Sequence, residues 1–123
     1  MSLDFAHVPI VDDVVIKRLF ALRDQVARPG EDVLGELLVL FDRDSKARVS
    51  TLRDSAIAAE RKNAAHALKG AAGNVGAARV AAMAAHVEKN PAVGACDSAL
   101  IDALEAEIKA AIVALAARMT GPY

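Results

Sequence analysis

The sequence predicts an all-α protein, built as an antiparallel up-and-down four-helix bundle with an additional N-terminal helix. Alanine, the strongest helix former, accounts for 28 of the 123 residues. Aromatic residues, which favour strands, make up only 3% of the chain. Apolar residues recur at helical spacing in long segments that short connections separate, and short connections favour antiparallel neighbours.

The first two segments are the N-terminal helix and the longest helix of the bundle. Residues 12–28 form the N-terminal helix, with Asp12 or Asp13 as the candidate N-cap and Pro29-Gly30 as its end. The bundle core is expected over residues 31–119, and residues 1–123 are predicted to be one domain. A second helix is predicted over residues 31–59. Its apolar stripe consists of Leu34, Leu37, Leu38, Phe41, Val49, Leu52 and Ala56.

Three further helices complete the predicted bundle. A third helix over residues 60–74 ends at the Val75-Gly76 corner, and a fourth over residues 77–89 ends at Asn90-Pro91. After a loop that contains Cys96, the last helix is expected over residues 98–119. Its core face consists of Ile101, Leu104, Ile108, Ala111, Ile112 and Leu115.

Charge and composition exclude several classes of protein. Fifteen basic and sixteen acidic residues give a net charge of −1, so no basic excess indicates nucleic acid or a membrane surface as a partner. A single cysteine, Cys96, excludes an internal disulfide and a thiolate metal cluster, and it favours a cytoplasmic location. The apolar run over residues 110–117 is too short to span a bilayer. We therefore expect no membrane insertion, and no metal or cofactor bound by this chain.

The third helix combines a histidine with two glycines on one face. At about 100° per residue, His66 shares its face with Gly70 and Gly73, and Lys69 lies beside them. Each helical glycine costs about 1 kcal/mol relative to alanine, but it leaves room for a bulky molecule to approach the imidazole. An exposed imidazole beside a cation suits a nucleophile that accepts a phosphoryl group. The opposite, core face consists of Ala64, Leu68, Ala71, Ala72 and Val75.

Each of these features alone also has an ordinary structural interpretation. A surface histidine is usually only solvated, and a Gly-Ala-Ala-Gly stretch often marks a close contact between two helices. Their combination on one face favours the functional interpretation.

The segment around His66 resembles the signature of histidine-containing phosphotransfer (HPt) domains. From His66 to Ala77 the chain reads His-Ala-Leu-Lys-Gly-Ala-Ala-Gly-Asn-Val-Gly-Ala, and the family pattern is His-x-Leu-Lys-Gly, a short spacer, then Gly-Ala. Residues 37–45 resemble the second-helix stretch of the family, and Val87-Glu88 resembles the Leu-Glu that ends its fourth segment. The resemblance covers most of the chain, from about Pro9 to Met119.

This resemblance implies a phosphorelay intermediate. His66 would accept a phosphoryl group from the aspartyl-phosphate of one receiver domain and pass it to the aspartate of another. Lys69 would help to hold the phosphate, and Gly70 would leave access to the ring. Glu88 would accept a hydrogen bond from Nδ1 and leave Nε2 as the nucleophile, although a solvated carboxylate at a helix end is the open alternative.

The resemblance also implies that the partner supplies the catalysis. The sequence has no phosphate-binding glycine loop or ATP-site signature. The expected partners are receiver domains of response regulators or a hybrid sensor histidine kinase, with Mg²⁺ bound by the receiver. Further candidate site residues are Gly73, Arg79 and Lys62. The expected docking surface is mildly apolar and includes Val14, Val15 and Leu19.

Three other interpretations remain for the same features. The first is a helical adaptor that binds receiver domains or dimerises without phosphotransfer. The second is a helix-turn-helix DNA-binding protein, which the near-zero net charge disfavours. The third is a zinc site formed by His66, His86 and Glu88, which is disfavoured because residues two apart on a helix point in different directions.

Overall fold

The computed structural model describes residues 5–90 and 97–120. Within those residues the chain forms five helices and no strand. The last four helices pack in a cycle, each against its chain neighbour, and the fifth helix closes the cycle against the second. The predicted all-α bundle with an additional N-terminal helix is therefore confirmed. The helices are α1 (Asp13–Val26), α2 (Val33–Asp54), α3 (Ala58–Val75), α4 (Ala78–Lys89) and α5 (Ser98–Thr120).

The core of the bundle is aliphatic and rich in alanine. Leu52 of α2, Leu68 of α3 and Leu104 of α5 are completely buried, and burial of such a side chain stabilises the fold by about 1.5–3 kcal/mol. Most of the predicted core positions on α3 and α5 are buried. The exceptions are half-buried, namely Ala71 and Ile112. The completely buried alanines Ala65, Ala72, Ala84 and Ala111 allow neighbouring helices to approach closely.

The boundary between α2 and α3 differs from the prediction. The sequence predicts that the second helix continues to residue 59, but α2 ends at Asp54. The Ser55 hydroxyl lies 2.5 Å from a carboxylate oxygen of Glu60, and the Ser55 carbonyl accepts a 2.7 Å hydrogen bond from buried Arg61. These bonds compete with continuation of the helix, and no glycine or proline marks the break. As a result Ala56, predicted in the core stripe, is exposed.

Helix α1 lies across one end of the bundle, as the sequence predicts. Asp12 is its N-cap, since the Asp12 side chain accepts a 3.0 Å hydrogen bond from the amide of Val14. The Asp12 amide donates to the carbonyl oxygen of Gly76 at 2.8 Å, which ties the start of α1 to the end of α3. Arg118 near the end of α5 forms an ion pair with Asp13. The ends of α3 and α5 therefore meet the start of α1.

Two expectations concern the loop and the membrane. The predicted loop that contains Cys96 lies in residues 91–96, outside the described residues. In the described part of the chain, none of the helices has both the length and the hydrophobicity that crossing a bilayer requires.

Replacing Gly76 by Ala should destabilise the fold by about 1–2 kcal/mol. Gly76 has a φ of +83°, and an added Cβ would lie 3.3 Å from the Asp12 carbonyl oxygen. The matched control is Gly70→Ala inside α3, where an added Cβ meets nothing within 4 Å and should stabilise by up to about 1 kcal/mol. Urea unfolding followed by circular dichroism measures both. Equal free energies of unfolding for the two variants would contradict a requirement for glycine at the turn between α3 and α4.

Candidate functional site

His66 lies near the middle of α3 with its ring in solvent. Its side chain is 68% exposed. On the opposite face of the helix, Ala64 and Leu68 are 3% and 0% exposed and anchor α3 in the core. The two faces of α3 are therefore those that the sequence predicts, and the imidazole is accessible from outside the bundle.

Glu88, in the last turn of α4, orients the His66 ring. Its Oε1 lies 2.8 Å from His66 Nδ1, and its side chain is only 18% exposed. Because an ionised carboxylate can only accept hydrogen bonds, Nδ1 carries the hydrogen, and in the neutral imidazole Nε2 then has the free lone pair. The sequence left two alternatives for Glu88, a partner of His66 or a solvated carboxylate at a helix end. In the structure the Glu88 carboxylate is hydrogen-bonded to His66.

Lys69 binds the second oxygen of the same carboxylate. Its Nζ lies 2.7 Å from Glu88 Oε2, so one carboxylate connects His66 and Lys69. The hydrogen bond from Lys69, followed by that from His66, holds the pKa of the Glu88 carboxyl below its ordinary value of 4.5. Glu88 is therefore charged at neutral pH.

Gly70 and Gly73 form a bare surface beside the ring. Both residues are exposed, and a Cβ added to either would meet nothing within 4 Å. No neighbouring helix therefore requires a glycine at these positions, and the helix-contact interpretation of Gly-Ala-Ala-Gly fails for them. What the two glycines provide is open space on the face that carries His66.

A cleft of about 350 Å³ lies between α3 and α4 next to this network. Its lining residues are Lys62, Lys69, Ala85, Glu88 and Lys89. The structure thus brings Lys62, one of the further candidates, to the same cleft as Lys69 and Glu88.

Arg79, another further candidate, does not lie at the site. It belongs to the first turn of α4, nine residues before Glu88, which places it about 13 Å away along the helix. Its Nε donates to the carbonyl oxygen of Val8 at 2.8 Å, and its Nη1 lies 3.5 Å from Glu107. The structure therefore does not bring Arg79 to the His66–Glu88 pair, although it lies near His66 in sequence. Instead, Arg79 ties the N-terminal segment to α4 and α5.

Exposed apolar side chains lie on both α1 and α2, and those of α2 border α3. Val14 of α1 is 58% exposed, but Val15 packs near Gly76, about 15 Å along α3 from His66. Leu40 of α2 is also 58% exposed and borders a cleft with Ala71 of α3. Leu40 was not among the residues predicted for the docking surface. Its signal is the run of five apolar residues over 37–41, since one helix face cannot bury them all.

The side chains of the conceivable zinc site point apart. The His86 ring packs edge-on against Phe5, with the ring centroids 6.1 Å apart, whereas Glu88 faces His66. In residues 5–90 and 97–120 no group of three His, Cys, Asp or Glu side chains is placed to hold a metal ion.

Comparison with family models identifies the family of the chain. A family model described as Hpt domain matches residues 35–117, from α2 through most of α5. The chain belongs to the Hpt domain family. Neither the curated proteins nor the solved structures contain a match to the chain. Hpt domains act in phosphotransfer during two-component signalling, where they carry phosphoryl groups and interact with receiver domains.

Replacing Lys69 by Met should raise the pKa of Glu88, because the carboxylate loses the hydrogen bond that lowers it most. Titration of the side-chain carboxyl carbon by NMR measures this shift. Lys62→Met is the matched control, since it leaves the Lys69–Glu88 bond in place. An unchanged Glu88 pKa in Lys69→Met would refute the shared-carboxylate arrangement.

The same network predicts a dependence of stability on pH. The pKa of Glu88 in the folded protein lies below its ordinary value of 4.5. Its contribution to stability is therefore present above about pH 4.5 and is lost as the pH falls through the lowered folded pKa. As the pH falls through this range, the free energy of unfolding should decrease less in Glu88→Gln than in the native protein.

Proposed function

We propose that this Hpt domain is a phosphorelay intermediate whose phosphoacceptor is His66. It accepts a phosphoryl group from the aspartyl-phosphate of one receiver domain and transfers it to the aspartate of another. The observation that carries this proposal is an exposed imidazole whose Nδ1 is held 2.8 Å from the Glu88 carboxylate. This hydrogen bond selects the tautomer in which Nε2 is the nucleophile.

The transfer step uses the His66–Glu88 pair directly. The Nε2 lone pair attacks phosphorus, an N–P bond forms, and the bond from phosphorus to the aspartate oxygen breaks with its electron pair returning to the carboxylate. The ring retains its Nδ1 hydrogen and gains positive charge. The carboxylate of Glu88 stabilises that charge through a charge-assisted hydrogen bond. The reverse sequence delivers the phosphoryl group to the next receiver.

The surrounding surface supports access by a protein partner. Gly70 and Gly73 leave open space beside the ring, and exposed Leu40 and Val14 offer apolar surface that a partner can bury. We propose that the receiver binds the Mg²⁺ and supplies the catalysis, with this chain contributing an oriented imidazole. The single cysteine fits action in a reducing cytoplasm.

His66→Gln should abolish phosphorylation without unfolding the domain. The protein is incubated with a panel of phosphorylated receiver domains, and an acid-labile, base-stable label on this chain is measured. The native protein should become labelled and His66→Gln should not, since the amide has no nucleophilic nitrogen lone pair. Because the side chain is 68% exposed, the helical circular dichroism spectrum should not change.

Two results of this assay would count against the proposal. A retained label on His66→Gln means that another residue is the nucleophile. If the folded native protein binds receivers but takes no label from any of them, the protein is a helical adaptor without phosphotransfer.

Gly70→Leu should slow transfer from a receiver while leaving the fold intact. The added side chain projects into open space, so the free energy of unfolding should not fall. The same side chain blocks the approach to His66, and we expect transfer to slow by about tenfold or more. The control is Ala110→Leu at an exposed position of α5. Unchanged transfer rates in Gly70→Leu would show that the bare surface does not serve partner access.

A further inference from the structure

The cleft between α3 and α4 carries unbalanced positive charge. Three lysines and one carboxylate line it, namely Lys62, Lys69, Lys89 and Glu88. Lys69 is bound to Glu88 at 2.7 Å, so its charge is already compensated. Within the described residues, Lys62 and Lys89 form neither a salt bridge nor a side-chain hydrogen bond. Two free cations therefore border the network that orients His66.

The opposite side of the bundle shows that this imbalance is local. The cleft between α2 and α5, of about 310 Å³, has two acidic and two basic side chains, Asp42, Glu105, Lys46 and Lys109. Asp42 and Lys46 form an ion pair with each other at 3.2 Å. The whole chain carries a net charge of −1. The cleft beside the proposed phosphoacceptor thus carries a net positive charge, whereas the α2–α5 cleft does not.

The positions of the two free lysines place them at the edge of the surface that a partner must cover. Lys62 precedes His66 by four residues on α3, which is about one helical turn, so the two residues lie on the same face. Lys89 directly follows Glu88 at the end of α4. Both ammonium groups therefore belong to the cleft that adjoins the His66–Glu88 pair, at the edge of the exposed face of His66.

We propose that Lys62 and Lys89 form a docking cleft for an acidic side chain of the receiver domain, while Lys69 serves to position Glu88. The inference rests on the proposed function. A receiver that holds Mg²⁺ beside its aspartate must present carboxylates there, since Mg²⁺ requires oxygen ligands. Unpaired cations on a partner attract such a surface and accelerate encounter. The free cations that meet the partner are then Lys62 and Lys89 and not Lys69.

Binding and transfer measured separately test this docking cleft. The dissociation constant for each unphosphorylated receiver of the panel is measured at low and at high salt. Lys62→Met/Lys89→Met should weaken binding of the cognate receiver by about tenfold at low salt, since each exposed ion pair contributes modestly. The loss should shrink at high salt because screening shortens the range of the interaction. The matched control, Lys46→Met/Lys109→Met, removes the same charge from the neutral cleft and should bind normally.

Each outcome either supports or overturns the assignment. Equal affinity of native protein and Lys62→Met/Lys89→Met overturns it, and so does equal weakening by both double variants, which would reflect net charge alone. Normal affinity with slowed transfer also overturns it, since the lysines would then contact the phosphoryl group. If no receiver binds the native protein, the docking cleft is refuted.

The reactivity of His66 is tested independently of any receiver. Phosphoramidate, a small phosphoryl donor, should label His66 equally in the native protein and in Lys62→Met/Lys89→Met. If the double variant binds the receiver more weakly but no receiver transfers a phosphoryl group to His66 of the native protein, the phosphorelay function is refuted. The docking cleft is then still supported.

Discussion

The site depends on a single carboxylate that joins two helices. Glu88 of α4 binds His66 through one oxygen and Lys69 of α3 through the other, at 2.8 and 2.7 Å. The first bond fixes the tautomer of the imidazole, and the second keeps the carboxylate charged and oriented. The orientation of an exposed histidine ring is therefore set by a neighbouring helix, and any separation of α3 from α4 would release the ring.

Small side chains in the core make this connection possible. Ala65 and Ala72 of α3 and Ala84 of α4 are completely buried, so the two backbones lie close together. A short carboxylate can then reach across the helix interface to the ring. The high alanine content of the chain thus has two roles, since it favours helix formation and it sets the α3–α4 distance that the site requires.

Local patterns predicted most of the fold and the centre of the site, whereas partnerships between helices were harder to predict. The exposure of His66, the bare glycines and the Asp12 cap follow from helical periodicity and short-range chemistry. The helix break at Ser55 depends on a buried Arg61 that lies six residues further on, and sequence propensity does not encode it. The sequence did not show that Arg79 binds the N-terminal segment, because distance along the sequence does not determine which end of α4 faces His66.

The two helices that build the site lack the N-cap side chains that the other three helices have. Asp12 and Asp32 cap α1 and α2 through side-chain hydrogen bonds, and the Asp97 side chain accepts one at the start of α5. Neither α3 nor α4 has a side-chain cap hydrogen bond, and the two outward glycines cost α3 about 2 kcal/mol in helix propensity. These helices therefore depend more on packing against each other and against α2 and α5, and the Glu88 bridge adds a polar contact between them. The interaction that orients the His66 ring is thus also a link between two helices that have no side-chain N-cap.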